Sequence, residues 1–291
     1  MTRQAELAQA YDAARPRLTR VAYAILGSRA DAEDVVADTW LKLAQADEGE
    51  RIRDVVGWAT VATARGALDV LRSARVRREA YVGPWLPEPM LTAHDGVMTD
   101  PADRVTLDDS VRYALLIVLE RLSPAERTAW VLHDLFEMPF TEVAAAVGRT
   151  PAAVRQLASR ARAHLAEAGQ RFEVDPGRHD EVVGAFVLAA AGGDLASLVG
   201  TLDADVVLTS DGGGVVSAAR RPVLGPDRVA RFILGIAAKH EGSILPVKVN
   251  GATGLAVMNG EDLHSVVSLT VHGDRITRID MVLAPAKLRH V

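Results

Sequence analysis

The sequence predicts a multidomain chain, two all-α subdomains followed by an α+β domain. Three observations predict it. Apolar residues recur at helical spacing through most of the chain upstream of Val174. A segment rich in proline, Val82-Gly83-Pro84-Trp85-Leu86-Pro87-Glu88-Pro89, interrupts that pattern and cannot continue a helix. Beyond Val174-Asp175-Pro176-Gly177 the period shortens toward that of strands, and all four tryptophans (Trp40, Trp58, Trp85, Trp130) lie before this point. A length of 291 residues suits more than one domain.

In order along the chain, Ala32, Val35, Val36, Thr39, Trp40 and Leu43 set the apolar stripe of a helix over 31–43, and a second helix is expected over 54–78. The proline segment opens a linker, placed at 81–105, between a first subdomain (1–80) and a second (106–174). In the second, Val111, Ala114, Leu115, Val118, Leu119 and Leu122 repeat the helical rule. A short helix over 141–147 stops at Gly148. Thr150 then caps another helix with Pro151 at its first position and Val154, Leu157, Ala158, Ala161 and Leu165 as its buried stripe. The third domain, 177–291, is expected to hold helices at 180–191 and 227–238. Strands are expected at 205–209, 245–250, 254–258, 264–271 and 276–283, read as antiparallel.

Composition narrows function. The chain is 49% hydrophobic and 24% charged, on globular averages. With no apolar run of roughly 20 residues and no apolar leader, neither secretion nor membrane insertion is expected. Zero cysteines excludes disulfides, thiolate metal sites and a cysteine nucleophile, and fits a reducing cytoplasm. The net charge of −5 conceals an uneven distribution. Arg65, Arg72, Arg75, Arg77 and Arg78 stand against Asp69 alone, and Arg149, Arg155, Arg160, Arg162 and Arg171 against Glu167 alone, with an acidic stretch between them. Two separated basic patches suit a phosphate backbone touched at two places.

The segment 140–165 reads as helix, glycine turn, helix: a helix-turn-helix. Arg155, Gln156, Ser159, Arg160 and Arg162 fall off its buried stripe, placed to reach a major groove, where Arg pairs guanine and Gln pairs adenine. The bland alternative is a helical hairpin with a solvated basic face. The helix over 54–78 adds Trp58, Thr60 and Thr63 to Arg65 and Arg72. Such a mixture can stack bases and hold phosphates of single-stranded or melted DNA. Its alternative makes Trp58 core. Asp31, Asp34 and Asp38 line the outer face of the helix over 31–43. They serve either solubility and the helix dipole or docking of a basic partner helix.

In this order the residues resemble an alternative RNA polymerase sigma factor of the extracytoplasmic-function group. They are the acidic helix from Asp31 to Leu43, Trp58 through Asp69-Val-Leu-Arg72, Leu122-Ser-Pro-Ala-Glu-Arg127 and the helix-turn-helix. The resemblance covers regions two and four, about Tyr11 to Arg171. More narrowly, the segment Ser73 to Pro89 with its Trp85-Leu-Pro87-Glu-Pro, the run Asp211-Gly212-Gly213-Gly214 and the tail Pro285-Ala-Lys287-Leu288-Arg-His290 resemble the SigJ-like subgroup with a fused SnoaL-like domain. The chain departs from that subgroup at Val215, where a lysine is common, and at Ala284-Pro285-Ala286, where Asn-Pro-Asp is common.

The resemblance implies that Asp31, Asp34 and Asp38 bind core polymerase. It implies that the Arg65–Arg78 region reads a minus-10 element and that Arg155 to Arg162 read a minus-35 element. Trp85 and Pro87 are expected to meet Asp211–Gly214 or the Pro285, Lys287 and Leu288 tail as an intramolecular regulatory brace. The chain is expected to be monomeric when free and to need no separate anti-sigma protein. SnoaL-like folds carry Asp and His for acid–base chemistry in some relatives, and Asp211, His264 and Asp280 are the candidates here. No acid–base pair at fixed spacing and no His-x-x-x-His pair is present, so no catalytic residue, cofactor or metal is expected. The rival reading is a ligand-sensing or enzymatic C-terminal domain with an accessory DNA-binding module.

Overall fold

The computed structural model describes residues 2–79, 81–93, 111–168 and 175–289, and of 75–79, 93, 167 and 168 only the backbone. The side chains of Arg75, Arg77 and Arg78, residues 94–110, the boundary at Val174, Arg171 and His290 lie outside the described residues. The chain divides into two compact units, the first of 2–79, 111 and 116–168, the second of 81–93, 112–115 and 175–289.

In the first unit, α1 (Arg3–Leu26), α2 (Arg29–Gly49) and α3 (Val55–Glu79) pack around Leu18, Ile25, Leu43 and Leu68, all at most 1% exposed. The turn from α1 to α2 needs a left-handed residue, supplied by Gly27 at φ 68°, and Ser28 then caps α2 by accepting from the Asp31 N–H. The expected helix over 111–122 is shorter, α4 (Tyr113–Leu119). Ser123-Pro124 starts a new helix, α5 (Pro124–Trp130), because Ser123 holds extended backbone before the proline and shares a capping box with Glu126. From α5 the chain runs into a π-helical turn, Val131–Leu135, that periodicity does not reveal. The helices α6 (Phe140–Val147) and α7 (Pro151–Ala168) follow, parted by Gly148 at φ 69°. Thr150 accepts from the Ala153 N–H, and of the expected stripe Val154, Ala158 and Ala161 are fully buried while Leu157 and Leu165 are partly so.

The second unit is α+β. Helices α8 (Pro176–Ala191), α9 (Leu195–Thr201) and α10 (Pro226–Ala237) share a core with a seven-stranded sheet. Its strands are β1 (Leu91–Ala93), β2 (Leu202–Asp211), β3 (Val223–Leu224), β4 (Ser243–Val249), β5 (Ala252–Asn259), β6 (Asp262–His272) and β7 (Arg275–Val282), ordered β1-β4-β5-β6-β7-β2-β3. The short α11 (Pro285–Leu288) ends it. The all-antiparallel expectation fails at one place: β2 pairs β7 in parallel, since α10 and four strands intervene and bring the chain back in the same direction. The period-2 rule sorts the faces. Leu208, Ile279 and Leu269 pair across three strands in the helix-covered core, while their neighbours Thr209, Asp280 and Ser268 form the next row on the opposite face. The proline segment joins this unit rather than running as a free spacer, with β1 pairing β4. Its entry is fixed by Asn250, which accepts from the Met90 N–H through Oδ1 and donates its own N–H to Met90 O. Asn250 and Gly251 both have positive φ, 47° and 79°, as a two-residue hairpin turn requires. Among the described residues, no helix is long and apolar enough to cross a membrane, and no cluster of three His, Cys, Asp or Glu fits a metal ion.

Candidate nucleic-acid interface

On α2, Asp34 and Asp38 are exposed and Asp31 partly so, opposite buried Val35, Val36 and Leu43. A groove of about 830 Å³ is lined by Arg51, Arg53, Trp58, Arg65 and Glu142 among others. Three guanidinium groups beside an accessible indole are what a stacked base with its phosphates needs. Arg72 is exposed and pairs with Asp69 at 3.2 Å. Thr63 departs from expectation: it is fully buried and donates to Thr39 Oγ1 at 3.2 Å, so it packs α3 against α2 and cannot face DNA. Thr60 is likewise buried and donates to Val56 O. The period of a helix places both on the inner side, on the face away from the exposed Arg65 and Arg72.

On α7, Arg155, Gln156, Ser159, Arg160 and Arg162 are all exposed. Three of them have internal partners that spacing does not reveal. Arg155 lies 5.3 Å from the Phe140 ring centroid, and that ring stacks on His133. Arg160 Nε donates to Glu126 Oε1 at 2.8 Å, and Arg162 Nε to Asp134 Oδ1 at 2.5 Å. Burial alone would raise the Glu126 carboxyl, but the bonds from Ser123 and Arg160 hold it below the usual carboxylate range.

Two arginines also join the parts of this unit. Arg127, its side chain 2% exposed, donates from Nε and Nη2 to Ala24 O at 3.2 and 3.1 Å and pairs through Nη1 with Glu120. Arg65 Nη2 donates to Ala145 O at 2.7 Å. Both carbonyls lie in the last turn of a helix, α1 and α6, where intrahelical donors run out and the dipole is negative.

In the second unit, Asp211 is fully buried at the end of β2 and gathers donors from three stretches of chain. Its Oδ1 accepts from Tyr81 Oη at 2.6 Å and the Gly213 N–H at 2.9 Å, and its Oδ2 from the Leu86 N–H at 2.8 Å and Lys287 Nζ at 2.7 Å. Its main-chain oxygen accepts from the N–H groups of Leu283 and Ala284. Lys287 Nζ also donates to Leu86 O and sits 4.0 Å from the Trp85 and 5.3 Å from the Tyr81 ring centroids. Burial first, and Asp211 second, push the Tyr81 hydroxyl well above its ordinary value. Pro87 O accepts from Tyr113 Oη at 2.8 Å. The glycines permit this approach. A Cβ on Gly212 would lie 2.2 Å from Val216 O, and Gly213 and Gly214 have φ of 68° and 72°. Val215 is 80% exposed, Pro285 is exposed and Leu288 partly buried.

Of the acid–base candidates Asp211, His264 and Asp280, both carboxylates are held by internal cations. Asp280 is bound through both oxygens by Arg278 Nε, at 2.9 and 2.7 Å, and Arg278 Nη2 reaches Thr209. Desolvation nonetheless raises the Asp280 pKa, outweighing Arg278. His264 stacks instead on His240, with ring centroids 6.1 Å apart. Sequence reasoning missed Tyr81, Arg127, Asp134 and Asn250 as contributors, and Glu126 as more than part of a motif. Two signals were available: Ser123-Pro-Ala-Glu126 is a capping-box pattern and Asn250-Gly251 a hairpin-turn pair.

Residues 10–77 match the family described as Sigma-70 region 2, and residues 113–165 that described as Sigma-70, region 4. The chain is 44% identical over 252 residues to the ECF RNA polymerase sigma factor SigJ of Mycobacterium tuberculosis, covering 86% of this chain and 78% of that one. It is 36% identical over 293 residues to the probable ECF RNA polymerase sigma factor SigI of the same organism, covering 99% and 97%. The crystal structure of Mycobacterium tuberculosis SigJ matches with a TM-score of 0.78 at 36% identity, over 96% of this chain and 97% of that one.

Proposed function

The chain belongs to the extracytoplasmic-function RNA polymerase sigma factors, alternative factors that direct transcription initiation, and from that premise we propose a division of labour among its residues. Asp31, Asp34 and Asp38 meet a basic surface of core polymerase. Trp58, Arg65 and Arg72, with Arg51 and Arg53 beside them, hold the minus-10 region as it opens. Arg155, Gln156, Ser159, Arg160 and Arg162 read the minus-35 duplex from the major groove. What supports the last assignment is that all five side chains are exposed on one helix whose Val154, Ala158 and Ala161 are buried. Arg155→Ala or Arg160→Ala should weaken discrimination at single minus-35 positions, whereas Arg65→Ala and Trp58→Ala should impair opening. Footprinting and permanganate reactivity of the holoenzyme read the two separately, and the reverse pattern would refute the assignment.

The C-terminal domain acts in cis, without a separate anti-sigma protein, by holding the segment around Trp85. The observation behind this is the fully buried Asp211, which binds Tyr81, Leu86 and Lys287 at once and so ties the proline segment, the sheet and the tail together. A rigid Pro-flanked aromatic tethered within its own chain docks at high effective concentration. Trp85→Ala and Lys287→Met should each change run-off transcription at unchanged polymerase affinity. Transcription equal to that of the unaltered protein would overturn the proposal. We read this domain as non-catalytic, because Asp211 and Asp280 are both engaged by internal cations that a general acid or base would have to shed.

A further inference from the structure

We infer that Glu126, a residue at the start of α5 and not on the recognition helix, is a positioning residue for minus-35 readout, orienting the guanidinium of Arg160. The inference rests on the proposed reading of Arg160 as a DNA contact. Glu126 is almost buried, its side chain 12% exposed, whereas Arg160 is 56% exposed. Each oxygen of Glu126 has a separate task. Oε2 accepts from Ser123 Oγ at 2.6 Å and from the Ser123 N–H at 3.2 Å, and Ser123 Oγ accepts in turn from the Glu126 N–H. That reciprocal cap fixes the carboxylate on its own helix. Oε1 is left to accept from Arg160 Nε.

Nε is the inner donor of a guanidinium. A bond there sets the plane of the group while the outer pair of Nη atoms points away, and paired outer donors are what bidentate recognition of a guanine edge uses. An arginine on a bare surface must give up rotamer freedom on binding, and one already oriented gives up less. A second carboxylate meets a second arginine of α7 in the same way. Asp134, on the π-helical turn, accepts from Arg162 Nε, and its other oxygen is buried without a hydrogen-bond partner. Ala161 between the two arginines is fully buried, so they straddle the seam where α7 packs on α5, each held at Nε by a carboxylate from below.

The test uses full-length protein assembled with core polymerase, on a promoter selected from a library randomised at minus-35. Run-off transcription is compared between that promoter and its single minus-35 and minus-10 variants. Arg160→Ala first identifies the base pair that Arg160 reads. Glu126→Ala should lower discrimination at that base pair about tenfold, within the range of one bidentate contact, and should add nothing in the Arg160→Ala background. Discrimination at minus-10 should stay unchanged, which a general loss of folding would not allow, and Glu126→Gln, which keeps a hydrogen-bond acceptor, should recover most of the effect. Unaltered minus-35 discrimination in Glu126→Ala, or an equal further loss in the double variant, would overturn the positioning role while leaving Arg160 as a reader. An Arg160→Ala variant with full discrimination would overturn the reading itself.

Discussion

Replacing Arg127 by alanine should cost the helical unit about 3–5 kcal/mol, the range for breaking a buried charged pair. The structure shows where the loss arises. A guanidinium with a 2% exposed side chain donates twice to Ala24 O and once to Glu120. A hydrogen bond from a charged donor contributes about 1.5–3 kcal/mol, and the two bonds sharing Ala24 O count as little more than one. Its removal orphans a carbonyl in the last turn of α1, at the negative end of the dipole. Glu120 can recover water, since 21% of its side chain is exposed, so its share of the loss is the smaller. Arg127→Met, which fills the space but offers no donor, should retain part of the stability. Urea unfolding followed by tryptophan emission measures this if Trp85→Phe is present in reference and variant alike, because Trp40, Trp58 and Trp130 then report the first unit alone. A loss below about 1 kcal/mol for Arg127→Ala would refute the view that this arginine ties α5 to α1.

Reversing Asp34 and Asp38 to lysine should weaken co-elution with core polymerase while changing stability by only about 0.5 kcal/mol, since both are exposed. Unchanged assembly would return them to ordinary surface charge. Lys287→Met strands the fully buried Asp211 carboxylate and should destabilise the second unit by about 3–5 kcal/mol, read from Trp85 emission. Adding Asp211→Asn should recover part of that loss, and a double variant as unstable as the sum would show the pair is not coupled. Asp47 is held at about 2, below its ordinary 3.8, chiefly by the Arg3 side chain and then by the Ile52 N–H. A depressed folded-state pKa contributes stability above the unfolded value that is lost as pH falls through the folded one. Asp47→Asn should therefore flatten the acid limb of stability between about pH 4 and 2, and an unchanged limb would contradict the assignment.

Much of the architecture was legible because it follows from local rules. The stop at Gly148 and the Pro151 start are statements about one helix and its ends and each held, and of the stripe Val154, Leu157, Ala158, Ala161 and Leu165 the three smaller residues are buried while the two leucines are partly so. The exposed charges of α2 and α7 were legible because exposed charge is the default fate of charge. The Thr63 misplacement shows the limit of residue type as a guide: a hydroxyl suits DNA or the inside of a helix pair equally, and only packing against Thr39 decided.

By itself, then, the sequence determined the succession of helices, the switch to strands, the helix-turn-helix and the unusual segment around Trp85, because periodicity, caps and breakers act over a few residues. Only the tertiary structure decided that β2 and β7 run parallel and that Asp211 answers Tyr81, Leu86 and Lys287. It alone placed Glu126 behind Arg160 and Arg127 under the end of α1. Those contacts span 34 to 130 residues of sequence. No local pattern encodes them, because what selects the partner of a buried charge is whichever acceptor the packed core brings within about 3 Å, where leaving it unpaired would cost more than any propensity can supply.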